Sequence, residues 1–130
     1  MIKTGLKRGS NVTGGYCAFM GACGAAIGVG TALSLILGAN PLKPDLRQIV
    51  QSATQEVLTE ISALKAARCC QRDSWIALKK VAELSRTLTP IPMKAAYDLK
   101  CRQQKFNAEC IGAKCPLLRK DSGKLQACLK

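Results

Sequence analysis

The feature that most restricts this chain is its cysteine usage: eight cysteines in 130 residues, two of them adjacent, and no histidine. Eight cysteines could staple a small secreted scaffold with disulfides. Three observations point away from that. Most of the chain carries helical patterns, whereas disulfide-stapled domains are mostly loops. Cys69 and Cys70 are neighbours, and neighbouring cysteines pair only with strained geometry. Cys17 and Cys23 lie in a Gly- and Ala-rich apolar stretch, which suits a buried site. Metal binding is therefore the favoured reading, ahead of free buried thiols and of disulfides. The absence of histidine removes Cys2His2 zinc sites, Cys–His catalysis and Ser–His triads. Any metal must be held by thiolates, alone or with a carboxylate. That donor set favours an iron–sulfur cluster or zinc. Thiols kept reduced for a metal imply a cytoplasmic protein.

The length suits one domain with a modest core. Aromatic residues make up only 4% of the chain, so Ala, Leu, Ile and Val must build that core. We read residues 1–130 as a single cysteine-rich helical domain, with a basic Gly-rich arm over 1–15 and a basic tail over 119–130. The formal net charge is +12, and residues 1–42 carry three cations and no carboxylate. Such a balance suits an acidic protein partner or a small anionic metabolite. With five aromatic residues and no RNA-binding module, nucleic acid is not expected.

Ser10 to Leu42 contains no charged residue, and Lys3, Lys7 and Arg8 precede it. Length and flanking charge alone would fit a membrane span or a signal segment. The stretch is, however, rich in glycine (Gly15, Gly21, Gly24, Gly28, Gly30), holds two cysteines and is weakly hydrophobic in its first half. Closely spaced Gly and Ala let a second backbone approach. A buried central helix is the better reading, and a membrane partner is not expected.

That helix should start between Gly21 and Ala25 and stop at Leu37, before Gly38-Ala39-Asn40-Pro41. Pro44-Asp45 opens a second helix to about Ala67, with Leu46, Ile49, Val50, Ala53, Val57, Ile61 and Leu64 at helical spacing. Asp73 or Ser74 is placed to cap a third helix from Trp75 to about Leu88. A fourth is expected from Met93 to about Gln103, after the break at Pro90 and Pro92. No alternating strand pattern is present. The expected fold is an all-α compact bundle of four or five helices with an irregular Cys-rich C-terminal loop.

The cysteines fall into three sets. Cys101, Cys110 and Cys115 are spaced C-x8-C and C-x4-C, and Pro116 follows the last. A Gly-containing loop here could donate backbone N–H groups to cluster sulfurs. Cys69 and Cys70 lie between Arg68 and Arg72, which could stabilise thiolates or hold a carboxylate or phosphate. Cys17 and Cys23 form the N-terminal set, where a plain buried thiol is the competing reading. Cys128 in the tail is the weakest candidate.

Ala22 to Ser34, ACGAAIGVGTALS, resembles the cluster-binding α-domain of iron–sulfur L-serine dehydratases. There a segment G-C-Q-x-E-V-G-V-A-x-A-M-A opens a long apolar helix. A turn with Gly and Pro, a second helix and V-P-C-x-x-R-N follow. Leu37-Gly38-Ala39, Pro41 and Cys69-Cys70-Gln71-Arg72-Asp73 keep that order here. The resemblance implies that Cys23 and Cys70 are cluster ligands. It lacks a counterpart to the family's T-C-D-P cysteine, its glutamate is Ala26 here, and its substrate domain is missing. Ligation would then be completed from Cys101, Cys110 or Cys115, so Cys23, Cys70, Cys110 and Cys115 should converge. The chain also resembles, over nearly its whole length, an uncharacterised cysteine-rich family of anaerobes. Its motifs read G-G-x-C-x5-C-G-A-A, R-C-C-x-R and E-C-I-G-x-x-C-P, here Gly14–Ala26, Arg68–Arg72 and Glu109–Pro116. That likeness implies an anaerobic cytoplasm.

These readings lead to three expectations of function. The first is a cluster protein, most simply [4Fe–4S], carrying electrons, sulfur or a cluster to an acidic partner. The second is a cluster-dependent lyase acting on a small anionic metabolite, with Arg68 and Arg72 binding it. The third is a zinc-stabilised binding module. Candidate ligands are Cys17, Cys23, Cys69, Cys70, Cys101, Cys110 and Cys115.

Overall fold

The computed structural model describes residues 1–118. Among these residues the fold is a bundle of five helices without strands: α1 (Ile2–Gly9), α2 (Tyr16–Phe19), α3 (Gly24–Leu37), α4 (Pro44–Ser62) and α5 (Cys70–Leu88). The expected tail over 119–130, with Cys128, lies outside the described residues.

The Gly/Ala-rich helix α3 is central, packing against α1, α4 and α5. It ends where Gly38 adopts φ 65°, and the Ala39 N–H reaches back 2.9 Å to the Ser34 carbonyl. A left-handed residue of this kind closes a helix by satisfying an orphan carbonyl, and glycine adopts it without steric penalty. Asn40 Oδ1 accepts the Leu42 N–H at 2.9 Å, forming the turn into α4. Pro44 then occupies the first turn of α4 with Asp45 beside it, which suits both the missing N–H and the helix dipole.

The main core is the meeting of three stripes: Ala26, Val29 and Leu33 of α3, Ala53 and Val57 of α4, and Ala77 and Val81 of α5. Small residues allow close crossing. Gly30 is buried, and a Cβ built there would collide with the Thr54 side chain of α4. Among the described residues no helix is long and apolar enough to cross a membrane.

Four expectations need correction. Residues 2–9, read as an arm, form α1 and lie on α3, where Arg8 donates to Ser34 Oγ at 2.8 Å. Helix α4 stops at Ser62 rather than near Ala67, and Leu64 folds over onto the second core. Helix α5 begins at Cys70, a turn earlier than expected, and neither Asp73 nor Ser74 caps it. No helix forms over 93–103. Here distance overrides local preference. Met93 donates its N–H to Ser85 Oγ at 2.7 Å, whereas Cys101 packs beside Trp75 and Ile76. Those anchors are ten residues apart along α5, about 15 Å. A helix from Met93 to Cys101 would rise only about 12 Å and fall short. The extended return is pinned midway by Lys79, whose ammonium lies 4.3 Å from the Trp75 ring and 5.7 Å from the Tyr97 ring.

The returning segment builds a second, smaller core of Trp75, Ile76, Cys115 and Leu117. Its turns are short 3-10 helices at Gln104–Phe106 and Gly112–Lys114.

Candidate functional site

A pocket of about 280 Å³ lies where the loop over 12–17 meets the first turns of α3 and α5. Cys17 enters from α2, Cys23 from the N-cap of α3, Arg68 from the segment before α5, and Cys70, Asp73 and Ser74 from the start of α5. Helical spacing explains the last group: positions 70, 73, 74 and 77 share one face of α5. Gly15 (φ 83°) and Gly21 (φ 68°) bracket the four-residue α2 that carries Cys17. Only glycine adopts such angles freely, and Cys17 between them is exposed.

Cys23 is the N-cap of α3 and Cys69 the N-cap of α5, and neither cap makes a side-chain hydrogen bond. The first-turn N–H groups of both helices therefore lack side-chain acceptors. Two helix N-termini converging on one pocket favour negative charge there. Arg68 adds a cation at the exposed rim.

Arg72 does not line this pocket. It is 4% exposed and donates from Nε to Asp73 Oδ1 at 2.9 Å and from Nη2 to the Ala67 carbonyl at 3.2 Å. The expectation that Arg72 holds a ligand is replaced by a structural role. It anchors the segment before α5 and neutralises the one carboxyl on the pocket wall. Burial pushes the Asp73 carboxyl above its ordinary range, and the Arg72 charge and hydrogen bond only partly oppose this.

The other cysteines lie elsewhere. Cys101 and Cys115 pack on Trp75 and Ile76. Cys110 is half-buried and accepts the Gly112 N–H on Sγ at 3.4 Å. The second core that holds Cys101 and Cys115 is distinct from the main core against which Cys23 packs, so the two groups of thiols sit in different parts of the fold. The expected convergence of Cys23 and Cys70 with Cys110 and Cys115 is thereby overturned. Cys23 and Cys70 share the pocket with Cys17 instead. As they stand, no three Cys, Asp or Glu among the described residues are close enough to hold one metal ion. All seven described cysteines are free thiols.

Two groups escaped the sequence reading. Asp73, expected with Ser74 as an alternative helix cap, instead lines the pocket, and its three-residue spacing from Cys70 accounts for that placement. The Trp75 indole Nε1 is buried with no hydrogen-bond partner among the described residues, and no local pattern signals that.

Residues 1–118 match a family of unknown function, DUF5714. The chain belongs to that family. All pocket residues named above fall within the matched region, as do both groups of thiols. No curated protein and no solved structure was found to match the chain.

Proposed function

We propose that this protein binds an iron–sulfur cluster in the pocket between α2, α3 and α5, through Cys17, Cys23 and Cys70. In this reading it carries electrons, sulfur or a cluster to a partner in anaerobic metabolism. The observation that carries the proposal is three cysteines from three separate segments lining one pocket. The surroundings support it: two uncapped helix N-termini and Arg68 suit the negative charge of a thiolate-ligated cluster. The donor set also fits, because the sole carboxyl on the wall is already paired with Arg72. Holding one cluster would require the three thiols to draw closer together than they stand. The resemblance of Ala22–Ser34 and Cys69–Asp73 to a dehydratase cluster domain agrees in assigning Cys23 and Cys70 as ligands.

One observation favours a second reading, a lyase acting on a small anionic metabolite. Asp73, with its raised pKa, faces the same pocket as the thiols and Arg68. A cluster held by Cys17, Cys23 and Cys70 would supply Lewis-acid chemistry toward a substrate hydroxyl. Arg68 then suits the substrate carboxylate and Asp73 the proton transfer. The two readings separate on Asp73→Asn: a carrier keeps its function with the cluster bound, a lyase loses turnover.

The test is anaerobic reconstitution with iron and sulfide, followed by iron, sulfide and zinc analysis. The proposal expects a brown protein with about four irons per chain. A colourless protein holding stoichiometric zinc would replace it with the zinc-stabilised module.

A further inference from the structure

A different surface carries a second inference. Helix α1 lies across α3 and leaves between them an open groove of about 330 Å³, lined among others by Ile2, Leu6, Gly28, Ala32 and Ile36. The ridge above this groove is unusually bare. Ile2 is 80% and Leu6 70% exposed, and Ile36 of α3 is also exposed. On the helical wheel Ile2, Gly5, Leu6 and Gly9 share one side of α1, with Lys3 and Arg8 on its two flanks and Lys7 towards the opposite side. No carboxylate occurs before Asp45. The face is therefore apolar, bordered by cations and free of nearby acid from its own segment.

Against the expectation from sequence that no membrane is engaged, we infer that the α1–α3 face docks on an anionic lipid surface, with Ile2 and Leu6 entering the acyl boundary and Lys3 and Lys7 toward the headgroups. An apolar stripe flanked by Lys and Arg is the arrangement that seats a helix in a membrane interface. Since no described helix is long and apolar enough to cross a membrane, the contact is peripheral. Two other occupants fit less well. A second copy of this chain, paired face to face, would bring the cations of each copy together. An acidic protein would need hydrogen-bonding groups in the contact, about one per 100–200 Å². Among the groove's lining side chains only Thr31 offers one. Acyl chains need none.

The experiment is co-sedimentation of the full chain with phosphatidylglycerol-containing vesicles and with pure phosphatidylcholine vesicles at low ionic strength. Binding to the anionic vesicles alone is expected. Leu6→Glu should abolish it, and Lys3→Glu with Lys7→Glu should weaken it more than tenfold, since each cation near the surface contributes about a fivefold factor. These positions are exposed, so the variants should keep the wild-type circular dichroism. Absence of vesicle binding by the wild type would overturn the inference. So would binding indifferent to Leu6→Glu, which would reflect net charge alone. A lipid-free dimer broken by Leu6→Glu would assign the face to a second copy. Retention on polyglutamate without vesicle binding would assign it to an acidic protein. Either result would overturn the lipid assignment.

Discussion

Replacing Gly30 by alanine tests the close crossing of α3 and α4. Gly28 and Gly30 both sit inside α3, yet their surroundings differ. A Cβ at Gly28 meets no atom within 4 Å, whereas at Gly30 it collides with Thr54 Oγ1. Replacing glycine by alanine in a helix interior gains about 1 kcal/mol from backbone entropy. Gly28→Ala should show that gain. Gly30→Ala adds an overpacking cost of about 1–3 kcal/mol, so its net effect should be a loss of up to about 2 kcal/mol. Thr54 cannot simply turn aside, because its Oγ1 donates to the Val50 carbonyl at 2.9 Å. Removing that hydroxyl with Thr54→Ala relieves the clash, since the Thr54 Cβ would stand 3.6 Å from the new methyl, an ordinary contact. The double variant should therefore be more stable than the sum of the single changes by about 1–3 kcal/mol. Thermal unfolding by circular dichroism reads this as roughly 4 °C per kcal/mol for a chain of this size. If Gly30→Ala is stabilising like Gly28→Ala, or the cycle shows no coupling, α3 and α4 do not cross at Gly30 and the reasoning fails.

Further expectations concern the start of α5 and the end of α3. Arg72→Met leaves the buried Asp73 without its partner, and a loss of about 3–5 kcal/mol in urea unfolding is expected. A result near zero would mean that the pair is open to water. Asp73 also confers a pH dependence. Because its folded pKa lies above 3.8, the folded chain holds the proton more tightly than the unfolded one. Its stabilising contribution is complete below 3.8 and is lost as pH rises through the raised value. The stability of wild type relative to Asp73→Asn, measured on the metal-free chain, should thus fall with rising pH across that window. A rise would contradict the assignment. Gly38→Ala places a side chain at φ 65° and should cost about 1–2 kcal/mol in thermal unfolding.

Patterns that depend on neighbours in sequence were legible from the residues alone. The Pro44 start, the Gly38 stop and the stripe through Ala53 and Val57 fixed α3 and α4, because caps and helical periodicity are local. The all-helical class followed from the absence of any alternating pattern. What failed depended on distant partners. The segment after Pro92 has helix-forming residues, but it is anchored at Ser85 and beside Trp75 and Ile76, about 15 Å apart along α5, and no helix forms between those anchors. Helix α5 starts at Cys70, and Arg72 in its first turn reaches back to the Ala67 carbonyl while pairing with Asp73. For the site, the sequence motifs contain Cys17, Cys23 and Cys70, the three cysteines that line the pocket. They could not tell where the C-terminal thiols would pack. Trp75 and Ile76 draw Cys101 and Cys115 into the second core, and that choice is made by packing rather than by spacing.

The most direct test of the central claim compares two triple variants after anaerobic reconstitution: Cys17, Cys23 and Cys70 changed to serine, against Cys101, Cys110 and Cys115 changed to serine. Iron and sulfide per chain are measured for each, with circular dichroism to establish that both remain folded. A cluster in the α2–α3–α5 pocket predicts that the first variant is colourless and free of iron, while the second keeps the wild-type content. Loss of the cluster from the second variant with retention by the first would contradict the account and move the metal to the second core around Trp75.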